Sequence, residues 1–337
     1  MDSSSAPGGR IVRGSCGFLV HSALAYPSAM PSTNPLLQLP GMDGYRARVE
    51  DTLMAVVAAE DELMAQMGSH LITAGGKRAR PLFAVASAAA LADDAPAVDA
   101  AVTDDVIDEA DTRRGAESVN ARWGNLKAIL AGDFLLAKAS EIAASLGTEV
   151  AGLLAATIGR LCEGEVQELR HAYDAGRTEE SYLAAIDGKT AALFATACRV
   201  GGIVGQLPRT DIDRLTEFGR LYGLAFQVVD DILDVIATDE DLGKPSGHDI
   251  AEGIYNLPVI RALADGAPDL RPLLGGPIAG DELDRARKLV QESDGVAQSV
   301  AVAEDYAAQA VEMLAPFGER PSAVALRGAA EHLVATL

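Results

Sequence analysis

Apolar residues recur along most of this chain at three- and four-residue steps, the spacing that gathers them on one face of a helix. The pattern begins at Tyr45, where Val49, Leu53, Val56, Val57, Met64 and Met67 follow with charged residues between them, and Gly75-Gly76 ends the run. Pro81 suits a first helical position, and Asp93, Asp94 and Pro96 close a second helix expected from Pro81 to near Leu91. Periodic stretches then predict helices over 125–146, 149–173, 179–206, 211–237, 280–293, 295–315 and 319–337, joined by short loops. Thr210, followed by Asp211 and Asp213, reads as an N-cap with acids in the first turn. Gly147, Gly176 and Gly266 stand where C-terminal glycines belong.

Composition supports this reading. Hydrophobic residues make up 49% of the 337 positions and aromatic ones 4%, alanine dominates, and β-branched alternation is scarce, so an all-α fold with almost no sheet is expected. No repeat of solenoid period is visible. One helical domain over 42–337 is the economical organisation. Residues 1–41, rich in Ser, Pro and Gly, read as a disordered leader.

The net charge of −21 argues against nucleic acid or an anionic membrane as partner, so an anionic substrate needs local basic clusters. No apolar run approaches the roughly 18 to 20 residues of a membrane span. Cys16, Cys162 and Cys198 are widely spaced without histidines at ligand spacing, which indicates neither a disulfide framework nor a zinc site and fits a cytoplasmic location.

Two acidic clusters stand out, Asp104-Asp105-Val106-Ile107-Asp108 and Asp230-Asp231-Ile232-Leu233-Asp234. On a helix the first and last Asp of each D-D-x-x-D share a face one turn apart, and such carboxylates suit Mg²⁺, which commonly completes its shell with water and substrate phosphates. A single cluster in an acidic chain is more often a solvated helix face. The second cluster, however, lies inside F-Q-V-V-D-D-I-L-D-V-I, where bare carboxylates among apolar residues are costly without a counter-ion. The basic residues sit nearby in sequence. Gly75-Gly76-Lys77-Arg78-Ala79-Arg80-Pro81 sets flexible backbone and three cations before a helix start, and Arg113-Arg114, Lys189-Thr190 and Gly243-Lys244-Pro245 add further cations.

With these motifs the chain resembles the trans-isoprenyl diphosphate synthase (polyprenyl synthetase) family over about residues 45–337. The family's G-G-K-R-x-R-P reads as Gly75 to Pro81, its first aspartate-rich motif as Asp104 to Gly115, and its second, extended by G-K-P-x-G-x-D, as Asp230 to Asp249; Asn125 to Ala139 is also similar. The resemblance implies an isoprenoid synthase helical bundle around a central active-site cavity, a homodimer, and a prenyltransferase joining isopentenyl diphosphate to an allylic prenyl diphosphate. It also implies two to three Mg²⁺ ions. Lys77, Arg80 and Arg114 would hold isopentenyl diphosphate. Asp104 and Asp108 would bind Mg²⁺ on the allylic diphosphate, with Arg113, Lys189, Thr190 and Gln227 contacting that substrate. Asp230, with Asp231 and Asp234 nearby, would bind a further Mg²⁺, and Lys244 would help neutralise the leaving diphosphate.

Two features depart from the family pattern. The interval from Arg80 to Asp104 is shorter by roughly ten residues, about three helical turns, and lacks the family's histidine; this predicts a poorly anchored first metal site. Asn256 stands where Thr is usual. Ala100, Ala101 and Val102 put no aromatic plug before Asp104, which favours a medium or long product. A terpene cyclase of the same fold and a non-catalytic partner subunit are the alternatives. The G-G-K-R-A-R-P motif weighs against the first, and the short interval leaves room for the second.

Overall fold

The structure, a computed structural model, describes residues 34–73, 79–90, 112–113, 116–238 and 246–337. The described residues are overwhelmingly helical. A 3₁₀ turn at Pro35–Gln38 leads into α1 (Met42–Val56), α2 (Glu62–Thr73) and α3 (Ala79–Ala88). The run expected to be continuous from Tyr45 is thus broken at 57–61, where Asp61 accepts a hydrogen bond from the Met64 amide at 2.9 Å and starts α2. Strands Thr112–Arg113 and Ala116–Glu117 pair antiparallel.

Then follow α4 (Val119–Trp123), α5 (Asn125–Ser145), α6 (Thr148–Arg170), α7 (Glu179–Ile186), a π-helical turn at Asp187–Ala191, α8 (Ala192–Val204) and α9 (Arg209–Ile236). The C-terminal part comprises α10 (His248–Ala251), α11 (Leu257–Ala264), α12 (Asp281–Gln291), α13 (Gly295–Met313) and α14 (Pro321–Val334). The expected helices from 125 onward are present, with three local differences. Helix α9 begins at Arg209 with Pro208 in extended conformation before it, so Thr210 lies inside the first turn and caps nothing. Proline presets the entry, since the Asp211 and Ile212 amides both reach the Pro208 carbonyl. After α6 the left-handed position falls on Tyr173, at φ 61°, and not on Gly176. The 179–206 segment carries the π turn in its middle.

Helix α9 is the spine, packed along α8 and α13. The few aromatic residues concentrate around it: Phe83 lies 4.4 Å from Tyr222 and 5.3 Å from Phe194, and Phe194 lies 5.5 Å from Phe226, ring centre to ring centre. Glycines allow the closest approach. A Cβ at Gly223 would stand 2.6 Å from the Ala191 Cα, and one at Gly219 2.5 Å from the Phe194 carbonyl. The packed chain also begins earlier than expected, because Leu36 is fully buried and Pro35 lies against Gly328 of α14; the boundary at 42 moves back to at least 35. Residues 1–33 of the expected leader lie outside the described residues.

Helix α5 is different. Leu126 is 73% exposed and Ile129 59%, with Leu130 and Leu136 also open. A row of large apolar side chains on one helix face is unusual on a protein surface left bare.

Candidate active site

The contact between α9 and the π turn sets the site. With Gly223 against Ala191, the next turn of α9 brings Gln227 opposite Thr190, and the Thr190 hydroxyl donates to Gln227 Oε1 at 2.7 Å. One turn further, Gln227 Nε2 donates to Asp231 Oδ1 at 2.9 Å. The other carboxylate oxygen, Asp231 Oδ2, accepts from the Tyr182 hydroxyl of α7 at 2.5 Å. Thr190, Gln227, Asp231 and Tyr182 are all buried.

A second glycine contact places Lys189. Gly164 of α6 and Gly188 of the π turn meet backbone to backbone: a Cβ on Gly164 would lie 2.7 Å from the Lys189 nitrogen, and one on Gly188 2.7 Å from the Arg160 carbonyl. This brings Glu165 and Glu168 against the lysine, whose Nζ is 2.6 Å from Glu168 Oε1 and 3.3 Å from Glu165 Oε2. Burial alone would lower the Lys189 pKa, but the two carboxylates outweigh it and hold the pKa above its usual value. Asp187, at the start of the π turn, receives Arg160 at 2.5 Å and Arg220 at 3.0 Å, pinning the extra residue where irregular helix often serves function.

The end of α9 is tied down by its neighbours. Asp234 Oδ2 accepts the Asp249 amide at 3.1 Å and the Asp234 carbonyl accepts the Gly247 amide at 2.8 Å, so this acid anchors the return of the chain into α10. Asn256, 1% exposed, donates to Asp249 Oδ2 at 3.1 Å. The last carbonyls of α9 are met by α12: Arg287 Nη2 donates to those of Val235 and Ala237 at 3.1 and 3.0 Å, a favourable use of a cation at a helix C-terminus.

The structure therefore brings Lys189, Thr190, Gln227, Asp231 and Asp234 together, with Asp230 half-buried beside them on the same end of α9. Arg80 lies in the first turn of α3, and the backbone of Arg113 pairs with Ala116. Lys77, Asp104, Asp108, Arg114 and Lys244 lie outside the described residues, as do the part of the short interval from residue 91 to Asp104 and the product-length positions 100–102. Sequence reasoning missed Tyr182, Glu165, Glu168 and Arg177. Glu165 and Glu168 at i, i+3 within E-G-E-V-Q-E gave a one-face signal, whereas nothing local marked Tyr182.

The charge of the donor set fits a metal ion. Burial, then the charges of Asp249 and Asp230, push the Asp231 carboxyl well above the usual carboxylate range, against the hydrogen bonds from Tyr182 and Gln227. Carboxylates that raise one another's pKa lack positive charge, and all-oxygen donors suit a hard divalent ion. Among the described residues no three such side chains close on one point, so an ion here would complete its shell with water or phosphate oxygens.

Comparison with known proteins gives a consistent result. The family model for polyprenyl synthetase matches residues 61–292. The nonaprenyl diphosphate synthase of Mycobacterium tuberculosis is 40% identical over 305 residues, covering 86% of this chain and 91% of the relative. Heptaprenyl diphosphate synthase component 2 of Geobacillus stearothermophilus is 35% identical, covering 80% and 88%. Among solved structures, the polyprenyl synthase of Caulobacter crescentus complexed with calcium and isoprenyl diphosphate superposes with TM-score 0.81 at 30% identity, over 91% of this chain and 99% of that one. With a helical bundle, a buried acidic site and matches over most of its length, the chain belongs to the polyprenyl synthetase family, as a prenyltransferase that elongates a prenyl diphosphate.

Proposed function

We propose that this elongation is Mg²⁺-dependent and that Lys189, Thr190, Gln227 and the Asp230 cluster form the allylic half of the site. The observation that carries the reading is the buried chain Thr190–Gln227–Asp231 next to the Lys189–Glu168 pair, assembled from segments about forty residues apart. Calcium in the Caulobacter complex supports a divalent ion. Asp230, with Asp231 and Asp234, would hold it here, and Asp104 and Asp108 would hold the others.

Ionising an allylic C–O bond requires the departing diphosphate's charge to be neutralised, which the bound metal supplies together with cationic side chains. Lys189 has three N–H donors, so a diphosphate oxygen can join the two glutamates around it. Arg113 and Lys244 would add charge on the same substrate, while Lys77, Arg80 and Arg114 would hold isopentenyl diphosphate. The carbocation left behind must be kept from water, and it would face the Thr190 and Gln227 oxygen dipoles. The isopentenyl double bond attacks C1, and the proton lost in forming the new double bond passes to the departing diphosphate.

A homodimer is proposed on the exposed apolar face of α5. No helix among the described residues is long and apolar enough to cross a membrane, in keeping with a cytoplasmic location. The names of the nonaprenyl and heptaprenyl relatives favour a product longer than C15. The test is incubation with farnesyl diphosphate, isopentenyl diphosphate and Mg²⁺. Elongation lost on chelation supports the reading; cyclisation or no reaction overturns it. Asp104→Ala or Asp230→Ala should each cut turnover by at least about a hundredfold with the helical content unchanged.

A further inference from the structure

The hydroxyl of Tyr182 has no part in the reaction set out above, yet the side chain is 1% exposed and its 2.5 Å bond to Asp231 is the shortest in the buried chain. Tyr182 and Gln227 together engage both oxygens of that carboxylate from the protein side. The chain has a direction. Tyr182 and Gln227 both donate to this carboxylate, so Gln227 turns its N–H toward Asp231 and its amide oxygen toward Thr190. Thr190 commits its single hydroxyl proton to that oxygen, which leaves the threonine only lone pairs to present elsewhere.

The tyrosine ring is itself held. Arg177, 5% exposed, centres its guanidinium 5.5 Å from the Tyr182 ring and donates to the Tyr255 carbonyl at 3.3 Å. We propose that Tyr182 is a positioning residue for the second acidic cluster: acting through Asp231, it fixes the orientation of Gln227 and Thr190 and holds the turn that carries Asp230. Thr190 thereby faces an allylic cation as an acceptor, and Asp230 faces the metal. This rests on the proposed function, which assigns those two roles.

The test is a cycle of wild type, Tyr182→Phe, Asp231→Asn and the double variant, with two readouts. One is steady-state kinetics with farnesyl and isopentenyl diphosphates. The other is binding of Mn²⁺ with inorganic diphosphate, followed by electron paramagnetic resonance without turnover. Removing the hydroxyl should lower kcat and weaken Mn²⁺ binding by about tenfold each, the scale of one hydrogen bond to a charged group, with KM for isopentenyl diphosphate unchanged. In the Asp231→Asn background the same change should add nothing. Wild-type kcat and Mn²⁺ affinity in Tyr182→Phe would overturn the proposal, as would equal losses in both backgrounds, which would trace the effect to ring packing. If the wild-type protein elongates nothing but its Mn²⁺ affinity still depends on Tyr182 through Asp231, the functional reading fails and the positioning role stands.

Discussion

Lys189 is the buried cation on which two glutamates depend, with Glu168 at 2.6 Å and Glu165 at 3.3 Å. Replacing one member of such a group leaves uncompensated buried charge, so Lys189→Met should cost about 3–5 kcal/mol in denaturant unfolding. Adding Glu168→Gln to that variant should restore part of the loss, because one orphaned carboxylate is removed. Cys198 is a simpler case. Burial pushes its thiol up from the ordinary 9.0 to about 12, with a smaller opposing effect from Ser87. The folded pKa is the raised one, so its stabilising contribution is complete below pH 9 and is lost between pH 9 and about 12, by about 1.4 kcal/mol per pH unit. Cys198→Ser should lose that alkaline component of the stability profile. In native protein at pH 8, iodoacetamide should label the exposed Cys162 and leave Cys198 unmodified until unfolding, as peptide mapping would show.

At the scale of elements, the site depends on how closely α6, the π turn and α9 approach one another. Gly188→Ala would force a methyl to within 2.7 Å of the Arg160 carbonyl; relieving that overlap should cost about 1–3 kcal/mol and push Lys189 away from Glu168. A lower thermal midpoint together with a lower kcat is expected. Gly266→Ala, by contrast, meets no neighbouring atom within 4 Å. Its penalty should be confined to the backbone strain of φ +82° and leave kcat unchanged. Gly164, Gly188, Gly219 and Gly223 were visible in the sequence, but their contacts were not, because each is made with a segment roughly 20 to 30 residues away. The π turn was equally hidden: 179–206 reads as uninterrupted helix, and only the folded backbone shows the π turn at Asp187–Ala191, where Arg160 and Arg220 grip Asp187.

For the whole molecule, the apolar row on α5 is the feature that a lone chain leaves unexplained. Charged substitutions at Leu126 and Ile129, which are 73% and 59% exposed, should leave the fold intact while shifting the mass seen in sedimentation from dimer to monomer. No change in mass would mean that this face meets something other than a second copy.

The sequence by itself determined the helical class, most helix positions after residue 125, and the candidate chemistry. Helical periodicity and D-D-x-x-D are local patterns, written within a few turns of chain. It also put forward Lys189, Thr190 and Gln227 as substrate contacts, through their resemblance to a family motif. What it left open was how these residues act on one another. Only the tertiary structure decided that Asp231 accepts from Tyr182 and Gln227, that Asp234 anchors the chain at Asp249, and that Lys189 lies between two glutamates of α6. The physical reason is that a buried polar group must find its partner wherever packing brings one, and for Tyr182 and Asp231 that partner lies 49 residues away along the chain.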